Sequence, residues 1–180
     1  MKEKIRQLKF RDIHEDTKAQ MEFIEQNRFP LALLCDNFSK AANVGMIFRL
    51  AEAARLKEVI LWNNEFDLSS KKIHRISRGN FDNVPKRTLF TNEEADALAQ
   101  EYRIIAGEWT NNSSTYKDFE WTDKPILLVM GNEVTGMSDF WLSRAEQCLH
   151  IPMFGLKTSM NVACAASILS YQLLEKKGLF

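Results

Sequence analysis

Five short apolar runs recur along the chain, separated by longer amphipathic stretches. The runs lack the two-residue alternation of half-exposed strands, which is typical of strands buried on both faces of a sheet. They are LALLCD (31–36), EVILWN (58–63), RIIAGE (103–108), ILLVMG (126–131) and CLHIP (148–152). We expect these five segments to be strands of one sheet.

The stretches between the runs show the periodicity of amphipathic helices. They predict helices at residues 14–26, 43–56, 92–102, 138–146 and 159–177. Ser138 is a candidate N-cap for the fourth helix. The last helix is expected to end at Lys176, Lys177 and Gly178, because basic residues and glycine suit a helix C-terminus.

The alternation of strands and helices predicts an α/β fold, a parallel sheet with helices on both faces. A chain of 180 residues is long enough for one domain with a real core, and we find no repeat, low-complexity tract or domain linker. We expect residues 1–28 to form a charged helical N-terminal extension and residues 29–180 to form the domain.

Charge is balanced overall but unevenly distributed. Residues 1–11 carry five basic side chains against one acidic, and residues 71–87 carry six against one. Residues 92–120 carry seven carboxylates against two basic side chains. Segregated charge of this kind can form a basic face for a polyanion even on a neutral protein. The alternative interpretation is ordinary solvated surface.

The cysteines and the absence of targeting signals indicate the compartment. Cys35, Cys148 and Cys164 lie in apolar stretches without a spacing motif, which predicts buried thiols in a reducing compartment. No histidine follows Cys164, so we interpret it as a buried structural thiol rather than a nucleophile. The N-terminus has no signal-peptide pattern, and no run approaches the roughly 20 apolar residues of a membrane span. We predict a cytoplasmic protein.

Three polar segments stand where predicted strands meet helices or turns. The first, NFSKAANVGMIFRL, contains Asn43, Gly45 and Arg49, and its simpler interpretation is a helix N-cap with a surface arginine. The second, GNEVTG (131–136), contains Glu133 and is otherwise a tight turn. The third runs from the apolar loop at 151–158 to Asn161, and its simpler interpretation is a helix cap. Ligands of open α/β sheets bind at such strand ends.

Together the three segments resemble the motifs of the SpoU/TrmH family of SPOUT-class RNA methyltransferases. The family pattern Asn-x-Gly-x-x-x-Arg is matched by Asn43–Arg49, and Gly-x-Glu-x-x-Gly by Gly131–Gly136. Ile-Pro-Met followed by Ser-Leu-Asn is matched at Ile151 and at Ser159–Asn161, where Met160 replaces leucine. The basic segment KKIHRISRGNFDNVP (71–85) is similar to the family's Arg-x-Ser-x-Gly region. The resemblance covers about residues 30–175 in the family's order.

The resemblance implies a parallel-sheet SPOUT fold with a C-terminal trefoil knot, the α/β knot, so that residues 29–180 would be a SPOUT methyltransferase domain. It also implies a pocket for S-adenosyl-L-methionine lined by the 151–158 loop. The cofactor-binding residues that it implies are Gly131, Ile151 and Met160, with Gly107 at the end of the preceding strand.

The implied reaction is methyl transfer to a ribose 2′-hydroxyl of tRNA or rRNA. Arg49 would hold a phosphate and stabilise the developing oxyanion, since an arginine rarely gives up its proton. Asn43 would orient the substrate or Arg49, and Glu133 would hold Arg49 or the Asn161 region. Ser159 and Asn161 would complete the pocket and contact the ribose. No metal is expected, because His14, His74 and His150 are scattered without ligand spacing.

The resemblance also implies partners. The family forms homodimers in which Arg49 would face cofactor in the other subunit, with an interface from the final helix and from Met46, Ile47, Phe48 and Leu50. An ordinary core helix is the alternative for those four residues. RNA would lie along Lys71–Arg87 and also along Lys2–Arg11. The candidate phosphate-binding residues are Lys71, Lys72, Arg75 and Arg78.

We expect tRNA rather than rRNA as the substrate, because rRNA-modifying relatives often carry a separate N-terminal RNA-binding domain and 28 residues are too few for one. Other functions stay open at this point: a base methyltransferase of the SPOUT class, and a catalytically silent RNA-binding SPOUT protein. An unrelated Rossmann enzyme would show G-x-G-x-x-G after the first strand, and this chain does not.

Overall fold

The computed structural model describes residues 6–7, 17–64 and 67–179. The strands that it describes are β1 (Leu31–Asp36), β2 (Val59–Trp62), β3 (Lys86–Leu89), β4 (Arg103–Gly107), β5 (Ser114–Thr115), β6 (Ile126–Met130) and β7 (Gln147–His150). The α-helices are α1 (Thr17–Gln26), α2 (Ala41–Ala53), α3 (Lys71–Ser77), α4 (Asn80–Asn83), α5 (Asn92–Glu101), α6 (Asp139–Leu142) and α7 (Val162–Lys176). A 3₁₀ turn spans Tyr116–Asp118.

The strands form one sheet in the order β3-β2-β1-β6-β4-β7-β5, and every pairing is parallel. All five predicted strands are present, each within two residues of its expected bounds. β6 lies between β1 and β4, with Leu128 opposite Leu33 on one side and Ile105 on the other. This register brings the carboxyl ends of β1, β6 and β4 to the same edge of the sheet.

Helices cover both faces of the sheet, which confirms the predicted fold class. One buried cluster joins alternate strand residues such as Leu33 and Leu128 to side chains of α2, α3, α4 and α7. The other joins strand residues such as Leu34 and Leu127 to side chains of α5 and α6. The C-terminal trefoil knot stays a prediction. No helix in the described residues has the length and apolar character needed to cross a membrane.

Two strands and two helices were not predicted. β3 reads KRTL and β5 has only two residues, so neither is an apolar run. The stretch that forms α3 and α4 was noticed only for its charge. The helix predicted at 138–146 is a single turn, because the chain turns into β7 directly after it. Ser138 occupies its N-cap position, but the hydroxyl makes no capping bond.

The last helix ends as expected. Gly178 adopts a φ of 74°, and its N–H donates to the Glu175 carbonyl while that of Leu179 donates to Leu174. These two bonds are the Schellman arrangement, which satisfies carbonyls at a helix end. The helix begins at Val162 rather than at residue 159, because Asn161 is its N-cap.

The prediction of buried thiols is correct for Cys35 but wrong for Cys164. Cys35 lies inside the sheet, and Cys148 is half-buried. Cys164 is exposed because it lies on the outer side of α7, on the same stripe as Ile168 and Tyr171. The structure therefore leaves an accessible thiol on that helix.

Part of the predicted N-terminal helix falls outside the described residues, since α1 is described from Thr17 onwards. Beyond α1, the Arg28 guanidinium donates to the carbonyls of Leu56 and Asn83 at 3.1 and 3.0 Å. The chain is thus attached to the sheet domain before β1 begins. The division at residue 28 stays a prediction.

Candidate active site

A cavity of about 380 Å³ opens at the carboxyl ends of β4, β6 and β7, and α7 forms one of its walls. Its base is apolar, with the buried side chains of Met130, Leu149 and Leu169. Its rim is polar and includes two carboxylates, Glu108 and Glu133. The size and the mixture of apolar walls with a few polar groups are typical of a small-molecule site.

Eight of the nine catalytic and cofactor-binding candidates from the sequence line this cavity. They are the four cofactor candidates Gly107, Gly131, Ile151 and Met160, and the four catalytic candidates Asn43, Glu133, Ser159 and Asn161. Their segments lie far apart in the sequence and meet because the strands that precede them end at one edge of the sheet. Arg49 is the one catalytic candidate that does not line the cavity.

A chain of hydrogen bonds connects the three motifs. The Asn43 amide donates to Glu133 Oε1 at 2.6 Å, and the Asn161 amide donates to Asn43 Oδ1 at 3.0 Å. Glu133 Oε2 accepts from the backbone N–H and hydroxyl of Ser39 at 2.9 and 2.7 Å, and Oε1 accepts from the Lys40 N–H at 3.2 Å. We call the series Glu133–Asn43–Asn161 the motif relay.

The environment of Glu133 favours its charged form. Partial burial raises the pKa of this carboxyl, but the hydrogen bonds from Ser39 and Asn43 together outweigh the effect and hold the pKa below its ordinary value. A charged acceptor makes stronger hydrogen bonds than a neutral one. Glu133 therefore fixes the start of α2 against the loop after β6.

Asn161 makes two sets of hydrogen bonds, and the sequence did not indicate that one residue would make both. Its Oδ1 accepts from the backbone N–H groups of Ala163 and Cys164, so it caps α7 while its amide joins the motif relay. The capping interpretation of the third segment is therefore correct for Asn161. The same interpretation is wrong for Asn43, because α2 begins earlier and its N-cap position is Lys40.

Gly131 is required by the path of the chain. A Cβ at this position would lie 2.4 Å from the Met137 backbone nitrogen, closer than two such atoms can approach. The chain folds back there, with Asn132 and Gly136 exchanging backbone hydrogen bonds at 2.9 and 3.0 Å. Gly136 has a φ of 76°, which favours glycine. The glycines of the second motif thus shape the loop that carries Glu133.

Arg49 lies on the exposed side of α2, outside the cavity. Among the described residues Arg49 has no ion-pair or hydrogen-bond partner. Of the two predicted partners of Glu133, Arg49 and the Asn161 region, the structure connects Glu133 to Asn161 through Asn43. The interface prediction for α2 is largely wrong, because Ile47, Phe48 and Leu50 are buried in the core. Of the four predicted residues, only Met46 is exposed on the face that carries Arg49.

Sequence reasoning missed several residues that line the cavity, among them Lys40, Glu108, Trp109 and His150. Trp109 stacks on His150 with ring centres 5.1 Å apart and planes within 9°. His150 Nδ1 also lies 3.0 Å from the Ser113 hydroxyl. Glu108 and Trp109 directly follow Gly107 at the end of β4, so the rule that ligands bind at strand ends could have found them.

The predicted RNA-binding residues form an exposed basic surface on α3, made of Lys71, Lys72 and Arg75, with Arg78 at its end. None of these four has a carboxylate partner among the described residues. His74 on the same helix lies 3.7 Å from an Asp82 carboxylate oxygen. We call the four residues the α3 basic surface.

The basic stretch does not continue to residue 87. Arg87 is bound by Glu58 and Glu101 at 2.7 and 3.1 Å, and Tyr102 also donates to Glu58. Lys86 donates to the Phe81 carbonyl at 2.8 Å. Lys86 and Arg87 thus hold β3 in place, so their charges are already engaged within the chain, and the expected RNA contacts along Lys71–Arg87 stay a prediction. Within Lys2–Arg11, only residues 6 and 7 are described, so that prediction falls mainly outside the described residues.

Comparison with known proteins supports the motif assignment. The model of the SpoU rRNA Methylase family matches residues 30–171. The 23S rRNA (guanosine(2553)-2′-O)-methyltransferase RlmP of Bacillus subtilis is 30% identical over 141 residues, which are 78% of this chain and 56% of that protein. The chain spans little more than half the length of the curated relatives that it matches first.

Solved structures share the fold. The SpoU methyltransferase AviRb from Streptomyces viridochromogenes, in complex with the cofactor AdoMet, aligns with a TM-score of 0.73 and 26% identity, over 81% of this chain and 57% of that one. The TrmH/SpoU tRNA modifying enzyme of A. aeolicus aligns with a TM-score of 0.77 and 21% identity, over 90% of this chain and 84% of that one. Because the family model matches most of the length of this chain, the chain belongs to the SpoU rRNA methylase family.

Proposed function

We propose that this protein transfers a methyl group from S-adenosyl-L-methionine to a ribose 2′-hydroxyl of RNA. The observation that carries the proposal is the motif relay, which unites the three family motifs around one cavity. Similarity to the 2′-O-methyltransferase of Bacillus subtilis supports the same reaction. The choice of cofactor is supported by AviRb, which has this fold and whose structure is a complex with AdoMet.

The residues of the cavity fit this cofactor. The apolar base formed by Met130, Leu149 and Leu169 suits an adenine ring, and the charged carboxylate of Glu133 at the rim suits a ligand with positive charge. Backbone groups at Gly131 and Ile151 lie at strand ends, where α/β proteins commonly bind nucleotides. When bound, the cofactor supplies a methyl group on a positively charged sulfur that an oxygen nucleophile can attack.

Catalysis depends on the oxygen that attacks. A ribose hydroxyl is a poor nucleophile at neutral pH, so the site must help its proton to leave and stabilise the oxyanion. The Arg49 guanidinium, which has no partner within the part of the chain that the structure describes, suits both a phosphate and that oxyanion. Ser159 is exposed at the cavity rim and suits contact with the ribose. The motif relay would keep Asn161 and the α2 start in position.

A homodimer would bring Arg49 to the cavity of the partner subunit. Met46 and Arg49 share the exposed stripe of α2, and α2 packs beside α7. The exposed stripe of α7 carries Cys164, Ile168 and Tyr171, of which the last two are 36% and 42% exposed. Because α2 packs beside α7, we infer that the two stripes lie next to each other as one partly apolar face, as expected of a surface that pairs with a second copy.

We favour tRNA as the substrate and the cytoplasm as the compartment. The tRNA modifying enzyme of A. aeolicus is matched over most of both chains, whereas RlmP is matched over 56% of its length. The α3 basic surface would grip phosphates of the RNA. The described cysteines form no disulfide, which suits a reducing compartment.

The test is a transfer assay with labelled cofactor and separated tRNA and rRNA fractions, followed by alkaline digestion. A 2′-O-methyl group blocks cleavage at its own 3′ phosphate, so we expect the label in dinucleotides from tRNA. Label in mononucleotides would indicate base methylation and overturn the proposal. Binding of RNA and cofactor without any transfer would indicate a silent RNA-binding protein. Label only in rRNA would overturn the choice of tRNA.

The RNA surface is tested separately by the salt dependence of binding. Replacing Lys71 and Lys72 together with alanine should weaken tRNA binding and lower the slope of log affinity against log salt by about 2, about one for each lost phosphate contact. Lys86→Ala is the matched control, because its ammonium is bound to a backbone carbonyl. An equal change of slope in the control would contradict the assignment to α3.

A further inference from the structure

Glu108 is a carboxylate that the three motifs leave without a role. It is the first residue after β4 and lines the cavity. Its Oε1 accepts from the Trp109 N–H at 2.9 Å, and its Oε2 accepts from the Met137 N–H at 3.3 Å. The two bonds hold the carboxylate between the loop after β4 and the loop after β6.

The two carboxylates of the cavity differ in how many acceptor sites are still open. Each oxygen of a carboxylate can accept about two hydrogen bonds. Both oxygens of Glu133 already accept two, from Lys40 and Asn43 on one side and from Ser39 on the other. Each oxygen of Glu108 accepts one, and no described lysine or arginine is paired with it. Glu108 therefore presents two open acceptor sites, one on each oxygen.

Two neighbouring contacts keep this carboxylate in place. Gly136 lies directly beside it, since a Cβ on that residue would have Glu108 Oε2 as its nearest neighbour at 3.5 Å. On the other side, Trp109 stacks on His150 and so attaches the Glu108 segment to β7. A carboxylate fixed in this way can accept from a ligand without losing much side-chain freedom on binding.

We propose that Glu108 accepts hydrogen bonds from both ribose hydroxyls of the cofactor's adenosine. This inference rests on the proposed function, which supplies the ligand. A vicinal diol offers two donors side by side, which matches two open acceptors on one carboxylate. Acidic residues beyond a strand end bind ribose hydroxyls in other nucleotide-binding α/β sheets. Glu108 thus selects a ribonucleoside ligand over a deoxyribonucleoside one.

The test is calorimetric binding of S-adenosylhomocysteine and of its 2′-deoxy and 3′-deoxy analogues, without RNA. The wild-type protein should lose about 10-fold or more in affinity for each hydroxyl removed, because hydrogen bonds to charged groups contribute about 1.5–3 kcal/mol. The Glu108→Ala variant should bind all three ligands with nearly equal affinity. Glu108→Gln keeps the shape of the side chain and should discriminate less than wild type. Glu120→Gln, an exposed glutamate outside the cavity, should behave as wild type.

Failure of the proposed function and failure of the Glu108 assignment give different results. If the wild-type protein binds neither S-adenosylmethionine nor S-adenosylhomocysteine, the proposed function fails. If wild type and Glu108→Ala discriminate equally against the deoxy analogues, only the role of Glu108 is overturned. Methylthioadenosine, which keeps the ribose but lacks the amino acid, gives a third comparison. Should Glu108→Ala weaken S-adenosylhomocysteine but not methylthioadenosine, Glu108 faces the ammonium group and the diol assignment is overturned.

Discussion

A single carboxylate, Glu133, holds together segments 90 to 94 residues apart in sequence. Glu133→Gln would remove the charge and present an amide N–H₂ to donors that need an acceptor. We expect this change to lower the free energy of unfolding by about 1–3 kcal/mol at neutral pH. The variant Glu120→Gln is a suitable control, since that side chain lies outside the relay.

The same residue predicts a dependence on pH. The pKa of Glu133 in the folded protein lies below its ordinary value of 4.5, because the hydrogen bonds to the charged form outweigh the effect of burial. Its contribution is therefore fully present above 4.5 and is lost as the pH falls through the lower, folded value. Urea unfolding of wild type and Glu133→Gln should show the difference between them shrink at acidic pH. A constant difference would contradict the charged-acceptor role.

Two glycines near the cavity should differ in their response to the same substitution. Gly131→Ala places a Cβ 2.4 Å from a backbone nitrogen, so the loop must move, at a cost of about 1–3 kcal/mol. Gly155→Ala meets no atom within 4 Å and should be neutral or slightly stabilising. Thermal denaturation of both variants measures the difference. Equal melting temperatures would show that the fold-back at Gly131 is looser than described.

At the scale of elements, the apolar runs were enough to predict β1, β2, β4, β6 and β7. β3 could not be found in this way, because its outer position in the sheet allows polar side chains such as Lys86 and Arg87. The helix expected at 138–146 is shorter in the structure. Sequence periodicity could not show this, because it does not reveal where tertiary packing starts the next strand. The motif residues were predictable as a group, since parallel strands end at one edge. Their hydrogen-bond partners were not, since these depend on loop paths.

The contact between α2 and α3 explains the glycine of the first motif. A Cβ on Gly45 would lie 2.8 Å from Ile76 Cβ and 3.1 Å from the Ile73 carbonyl oxygen, so glycine allows the two helices to approach. Gly45→Ala should destabilise the protein, although alanine is favoured over glycine by about 1 kcal/mol within a helix. Paired with Ile76→Gly, which removes the Cβ that crowds residue 45, it should cost less than the sum of the two single changes. Additive unfolding free energies would contradict this packing.

At the scale of the whole molecule, the proposed catalyst Arg49 is separated from the cavity that the other motif residues line. The motif relay and the cavity are complete within one chain, yet Arg49 lies outside that cavity on an exposed face. Sequence order could not reveal this separation, because the first motif contains both Asn43, which lines the cavity, and Arg49, which does not. A second copy that pairs through the α2 and α7 stripes would supply the missing guanidinium.

Mixed dimers test this arrangement directly. Arg49→Ala removes the guanidinium, and Asn161→Ala removes the relay from the cavity, so each homodimer should be nearly inactive. In a mixed dimer, the Arg49→Ala subunit keeps an intact cavity and receives Arg49 from its partner. Random exchange of the two variants should therefore restore about a quarter of wild-type transfer, since half of the dimers are mixed and each has one complete site. If Arg49 acted within its own chain, every site would lack one component and mixing would restore nothing.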